Sequence, residues 1–261
     1  VLVSPLAGTT GSADLCYDEQ AHHQFMHLAL NRLLPAELGA WLDDEQATRV
    51  SNAPHATFVE SYRTWQTNPL ADGLRGSLLS RVALAALVFC GFTPVIRCGQ
   101  EDADREFIQR LLAARSAYPL LRDGAPQLNA IPCDDPQVLC VLRRHAGGVL
   151  LGLIKIGARK RTATFSLPVD QIDLPDAEFL LRDLISGQVL QEQGRLTWRR
   201  DDLLSFQLTL EPFEAYALLI EQVDQLAAGA VPQGRAIARP RQPRRVSVGG
   251  EHEVAEIEED G

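Results

Sequence analysis

Gly91-Phe92-Thr93-Pro94-Val95-Ile96-Arg97-Cys98-Gly99-Gln100-Glu101 is the stretch from which the fold can be read. Gly91 stops a strongly apolar helix expected over Arg75 to Cys90, and Thr93 to Cys98 reads as a short buried strand. Gly99 to Asp104 then forms a loop into a second helix, Arg105 to Ser116, with Phe107, Ile108, Leu111 and Leu112 on one face. Upstream the same grammar repeats. After the turn-rich Gly11 to Tyr17, Glu19 to Leu34 carries a helical stripe (Phe25, Leu28, Ala29, Leu33) that Pro35 closes, and Pro35 to Glu45 continues as helix. His55 to Val59 reads as a short buried strand and Glu60 to Gly76 as a long polar loop. Short apolar strands alternating with helices predict parallel βα units.

Beyond Gly124 the pattern changes. Val138–Arg144, Val149–Ile156, Arg161–Leu167, Glu178–Asp183, Arg195–Trp198, Ser205–Leu210 and Ala215–Ile220 are short strand candidates separated by turn signals such as Ala146-Gly147-Gly148 and Ser186-Gly187-Gln188. Such spacing predicts an antiparallel sandwich. From about Val223 the apolar period gives way to Pro, Gly and Arg and then an acidic run, the composition of a disordered tail.

The order of these segments resembles the end of the barrel in the α-amylase superfamily, glycoside hydrolase family 13. There a strand of the type F-x-x-N-H-D precedes a helix and a G-x-P-x-x-x-x-G-x-E strand; here His55 to Arg63, the apolar helix and Gly91 to Glu101 follow in that order. Arg115, Pro119, Leu121-Arg122 and Gly124 match the family's R-x-x-x-P-x-L-R-x-G element. Arg182 to Gly187 and Leu208 to Tyr216 resemble its D-L-L-S-G turn and the last strands of its β-sandwich, and Asp14 to Leu30 takes the place of the sixth strand and helix. The resemblance covers residues 13 to 222.

It implies an α-glucan or oligosaccharide as partner, and a chemistry that this chain does not complete. Retaining glycoside hydrolysis uses two carboxyl groups about 5 Å apart. In the family they end the fourth and fifth barrel strands, which lie before the resembling region, so no residue is assigned a catalytic role. The third family carboxylate and its neighbours align with Ser61, Tyr62 and Arg63. A guanidinium in place of a carboxylate inverts charge and hydrogen-bond polarity. Tyr62, Arg63 and Glu101 are therefore the candidate substrate-binding residues of a degenerate cleft. Arg63 reads equally as a surface arginine at a loop start, Tyr62 has an alternative as a packing residue, and for Glu101 a structural acceptor is the favoured reading over a catalytic acid.

Composition narrows the partners. With 25 Lys plus Arg against 34 Asp plus Glu, the net charge of −9 disfavours nucleic acid, and the arginines between Arg235 and Arg245 face competition from the acidic end of the chain. Val82 to Ile96 is broken by Gly91 and Pro94 and too short to span a membrane. Five cysteines without a C-x-x-C pair fit reduced thiols and a cytoplasmic setting. Asp18, Glu19, His22, His23 and His27 have spacings that can gather a metal, yet a solvated helix has the same composition, and Gly8 to Ser12 reads as a plain loop. No metal and no cofactor is expected.

The fold expected is α/β then all-β. Residues 1–126 would be a partial (βα)8 barrel, roughly half of the ~250 residues of a complete one, 127–222 a β-sandwich and 223–261 a tail. A chain that starts at Val1 and lacks the earlier strands is expected to be the back part of a longer protein, able to self-associate through open strand edges. Substrate, linkage, and hydrolysis versus transfer are not legible, because they depend on loops outside the chain.

Overall fold

A computed structural model describes residues 3–4, 15–48, 54–61, 64, 73–192 and 194–223. Tyr62, Arg63, the Gly8–Ser12 loop and the expected tail from residue 224 onward lie outside the described residues.

Four short strands, β1 (Val3–Ser4), β2 (Leu15–Tyr17), β3 (His55–Phe58) and β4 (Thr93–Val95), form one parallel sheet in chain order. The sheet has one strand more than the sequence predicts: β1 pairs in register with β2, Val3 opposite Leu15. Helices α1 (Glu19–Ala29) and α2 (Pro35–Thr48) connect β2 to β3, and α3 (Gly73–Phe89) leads from the β3 side to β4. After β4, α4 (Arg105–Ala117) leads out of the sheet.

Local chemistry sets these boundaries. Asp18 caps α1 by accepting the Ala21 N–H at 2.7 Å, and Glu19 complements the positive end of the helix dipole. The predicted helix runs on to Leu34; the observed one stops at Ala29, because Asn31 adopts φ 55° and turns the chain toward α2. Pro35 then opens α2 at a position where no N–H is required. At the end of α3, Gly91 takes φ 89°, so that the Phe92 N–H reaches the Leu87 carbonyl at 3.1 Å and the Gly91 N–H reaches Val88 at 3.1 Å. The predicted strand from Thr93 to Cys98 is shorter in the structure, ending at Val95 before the 3₁₀ turn Gln100–Asp102.

The second region is antiparallel. β5 (Pro126–Leu128), β6 (Val138–His145), β7 (Gly148–Lys155), β9 (Glu178–Asp183), β10 (Thr197–Arg199) and β12 (Ala215–Gln222) form one sheet in the order β10-β9-β12-β7-β6-β5. β8 (Arg161–Phe165) pairs with β11 (Phe206–Leu210). The two sheets share a core in which Phe165 stacks on Phe206 and Trp198 meets Phe206 edge-on. A one-turn helix, α5 (Arg200–Leu204), precedes β11.

α3 joins the two regions. From Val82 to Phe89 every residue is buried, so this stretch of the helix is apolar all round. It packs on α1, α4 and β4 on one flank and on β7 and β12 on the other, in a single core that includes Leu139, Val141, Leu150 and Ile154. Arg143 of β6 caps it. Its Nη1 donates to the Phe89 carbonyl at 2.9 Å, its Nε to the Leu120 carbonyl at 2.6 Å, and its Nη2 to the Gly124 carbonyl. Burial pushes its pKa down to about 10, which still leaves it charged at neutral pH against the negative end of the helix. Among the described residues no helix is long and apolar enough to cross a membrane.

Candidate functional site

In parallel βα architectures the loops after the strand C-termini are where ligands bind. Here those positions carry Asp18 after β2, Glu60 and Ser61 after β3, and Arg97 after β4. Parallel pairing brings them together: Tyr17 lies opposite Ala56, and Phe58 opposite Val95.

Glu60 and Arg97 form the centre of this end of the sheet. Glu60 is 1% exposed, and Arg97 Nη2 donates to its Oε2 at 3.2 Å. The Arg97 guanidinium also donates from Nη1 to the Cys98 carbonyl at 2.9 Å, and the Arg97 N–H reaches Gln100 Oε1 at 3.3 Å. Beside the pair, Phe58 is flanked by two nearly parallel rings, Tyr17 at 5.3 Å and His22 at 4.2 Å between centroids. His22 Nδ1 lies 2.9 Å from the Phe58 carbonyl. A carbonyl only accepts, so Nδ1 carries the proton. Burial lowers the pKa of His22, with His23 adding to it and the Phe58 bond and Glu19 opposing, which keeps the ring neutral at pH 7. Burial likewise raises the Tyr17 phenol, assisted by Glu19.

Asp18 and His55 make a second polar contact, Oδ2 to Nδ1 at 3.0 Å, both side chains buried. Thr57 Oγ1 donates to the Asp18 carbonyl at 2.7 Å. Glu45 of α2 brings a carboxylate oxygen within 4.8 Å of the Asp18 and His55 ligand atoms. A His with two carboxylates is chemically able to hold a divalent cation. The hydrogen-bond length between Asp18 and His55, and the use of the other Asp18 oxygen as the α1 cap, account for the arrangement as a polar pin between β2, β3 and α2. Of the spacing-based set around α1, only Asp18 belongs to it.

Ser61 lies at the aligned position of the family asparagine and is engaged locally: its N–H donates to Thr64 Oγ1 at 2.7 Å, and the Thr64 N–H returns to Ser61 Oγ at 3.2 Å. Glu101 sits in the 3₁₀ turn after β4, half-buried, where its Oε2 accepts the Gly99 N–H at 2.9 Å. Sequence reasoning passed over Glu60, Arg97, His55 and Glu45. The available signal was position for Glu60, which stands just past the buried strand β3; Arg97 lies inside the predicted strand Thr93–Cys98, and β4 is only partly buried, with Val95 exposed.

The remaining motif residues hold the framework. Arg115 Nη2 donates to Thr93 Oγ1 at 3.3 Å, and the Gly124 carbonyl receives Arg143. Asp183 opens the turn before Gly187, accepting the Ala217 N–H at 2.9 Å and the Ser186 N–H at 2.9 Å, with burial holding its carboxyl above the usual carboxylate range.

Comparison with solved structures shows what the fold is similar to. The chain matches a maltogenic α-amylase, AmyB from Thermotoga neapolitana, at TM-score 0.60 and 14% identity, covering 80% of this chain and 51% of that one. AmyP in complex with maltotriose matches at TM-score 0.63 and 14% identity over 85% of this chain and 56% of its own. CldA, a cyclomaltodextrin glucanotransferase, matches at 0.54 and 17% over 83% and 46%. No protein-family model and no curated protein matches the chain. The chain has a partial α-amylase-family fold. It spans about half the length of the solved chains it resembles.

Proposed function

We propose that the chain is the C-terminal portion of an α-amylase-family glycoside hydrolase or transglycosidase-like protein of α-glucan or oligosaccharide metabolism, and that it carries no catalytic carboxylate pair. In this reading residues 1–126 are the last strands and helices of a (βα)8 barrel and 127–222 a β-sandwich. Four consecutive parallel strands in unbroken order support it, as do neighbours solved with maltotriose and maltose.

One observation carries the inactivity: the carboxylates that end β2 and β3 are already engaged, Asp18 with the Ala21 N–H and His55, and Glu60 with Arg97. Carboxylates so engaged are not free to act as the acid and nucleophile pair that glycosidic cleavage requires. Arg63, aligned with the third family carboxylate, extends the same loss. The buried Glu60–Arg97 pair favours a second reading, a noncatalytic carbohydrate-binding or scaffolding relative, in which the old cleft is closed by its own side chains.

The test is to assay maltooligosaccharide cleavage by residues 1–261 and by the product of the longest upstream extension of the reading frame. The chain alone should give no turnover, and the extended protein no ordinary amylase turnover; either activity overturns the corresponding claim. An upstream strand ending in Asp and another in Glu favours the enzyme, their loss the binding protein. The chain alone should also self-associate, because β1 and β4 each have one sheet neighbour among the described residues and Val95 on β4 is exposed. A monomer by light scattering, melting cooperatively, would remove that part of the reading. Five free thiols fit a reducing, cytoplasmic setting.

A further inference from the structure

The pin between Asp18 and His55 gains a third residue from α2. One ligand atom each from Asp18, Glu45 and His55 lies within 4.8 Å of the other two. Separate elements deliver them. Parallel register sets His55 opposite Cys16, and the Asp18 N–H extends the ladder to the Ala56 carbonyl at 2.8 Å. The Asp18 and His55 side chains therefore leave the same face of the sheet, and they meet, Oδ2 to Nδ1, at 3.0 Å. Both are buried, and the Phe92 ring stands edge-on to the imidazole with centroids 6.3 Å apart. Asp18 is held at two further atoms: its Oδ1 accepts the Ala21 N–H at 2.7 Å, and its carbonyl accepts the Thr57 hydroxyl at 2.7 Å. Glu45 is half-buried, which gives an ion a way in from solvent.

We propose that Asp18, Glu45 and His55 form a zinc site that ties α2 to the β2–β3 ladder. Zinc takes imidazole nitrogen and carboxylate oxygen alike at about 2.0–2.2 Å, so two ligands of a tetrahedral ion stand roughly 3.3 Å apart. The Asp18–His55 separation of 3.0 Å already meets that spacing. Glu45, within 4.8 Å, has at most ~1.5 Å to close, which its flexible side chain can do, and water completes the fourth position. In the metal-free chain a proton closes the Asp18–His55 contact; the ion takes its place between Nδ1 and Oδ2, and the ring keeps its proton on Nε2. The Ala21 N–H and the Thr57 hydroxyl stay where they are, so the oxygen that faces His55 is oriented before the ion arrives. Calcium and magnesium fit less well: both take oxygen ligands at sixfold or higher coordination, and one of the three donors here is a nitrogen. Among the ions that accept such a mixed set, zinc binds more tightly than manganese or iron.

The test strips the full chain with EDTA and dialyses it against micromolar zinc chloride. Expected are one zinc ion per chain and a rise in melting temperature on loading. Glu45→Gln should weaken zinc binding about tenfold or more, since it removes a charged ligand and leaves the Asp18–His55 contact in place. His23→Asn combined with His27→Asn, both exposed on α1, should leave binding unchanged. The proposal is overturned if the unsubstituted chain takes up no stoichiometric zinc, if Glu45→Gln binds as tightly as the parent, or if the α1 variant is the one that loses the ion. The uptake measurement and the α1 variant leave the site intact, so they decide the question whether or not Glu45→Gln folds.

Discussion

Arg143 of β6 donates its Nη1 proton to the carbonyl of Phe89, the last residue of α3, at 2.9 Å. The residue is buried without a carboxylate among its hydrogen-bond partners; it is satisfied by the carbonyls of Phe89, Leu120 and Gly124. A buried cation is tolerated there because a helix C-terminus presents unsatisfied carbonyls and negative potential. Arg143→Ala should destabilise the fold by about 3–5 kcal/mol, since it opens a cavity and strands those carbonyls. Urea unfolding measures this; a loss below about 1 kcal/mol, the range of an exposed site, would show that the cap is not a principal tie.

Glu60 and Arg97 should be energetically coupled. Removing either partner alone leaves a charge in a dry site, so Glu60→Gln and Arg97→Met should each cost more than half of the double variant's loss. A double-mutant cycle from denaturant melts should give a coupling of about 1–3 kcal/mol. Strict additivity would mean that water already screens the pair.

Gly152 of β7 lies under Phe89, and a methyl group there would stand 2.6 Å from the Phe89 ring. The ring is fully buried, so it has nowhere to swing. Gly152→Ala should cost about 1–3 kcal/mol by overpacking. Adding Phe89→Leu should recover part of the loss, a less-than-additive result readable by thermal melting; full additivity would mean that the helix shifts instead of the ring.

His22 predicts the response to acid. Its folded pKa lies below the ordinary 6.5, so the unfolded chain binds the proton first as pH falls, and stability contributed by the neutral ring is lost below about pH 6.5. Glu19 and His23, the charged neighbours that bear on it, act in opposite directions. His22→Asn keeps an N–H for the Phe58 carbonyl without titrating. Melting temperatures between pH 7.5 and 5 should fall less for this variant than for the parent; equal slopes would assign the acid sensitivity elsewhere.

The antiparallel region was the more legible part of the sequence. Glu178 to Asp183 is a strand at its predicted bounds, and the other six predicted strands all appear, because each combines β-branched or aliphatic residues with a turn signal at its ends. β5 escaped notice because it begins with Pro126 directly after Gly124 and Ala125, which read as turn; at a sheet edge a proline costs no ladder bond. α5 is too short for a helical period to show. β1 is shorter still and is recognised only through its pairing with β2. The candidate site was harder to read. Glu60 and Arg97 stand 37 positions apart, and only the parallel register of β3 and β4 makes them neighbours. The residues singled out instead, Tyr62 and Arg63, lie outside the described residues, while Glu101 turns back onto Gly99.

The two flanks of α3 carry a consequence for how such a chain can change over generations. A helix whose every side is someone else's wall cannot be inherited with only one of its neighbours. Removing β7 and β12 would leave Phe89, which lies over Gly152, facing water, and removing α1 and α4 would uncover the residues packed on them. A recombination event near residue 126 would therefore need a replacement surface on the same day it occurred. Packing at this one helix makes the parallel and antiparallel regions a single heritable piece, whatever lies upstream of them.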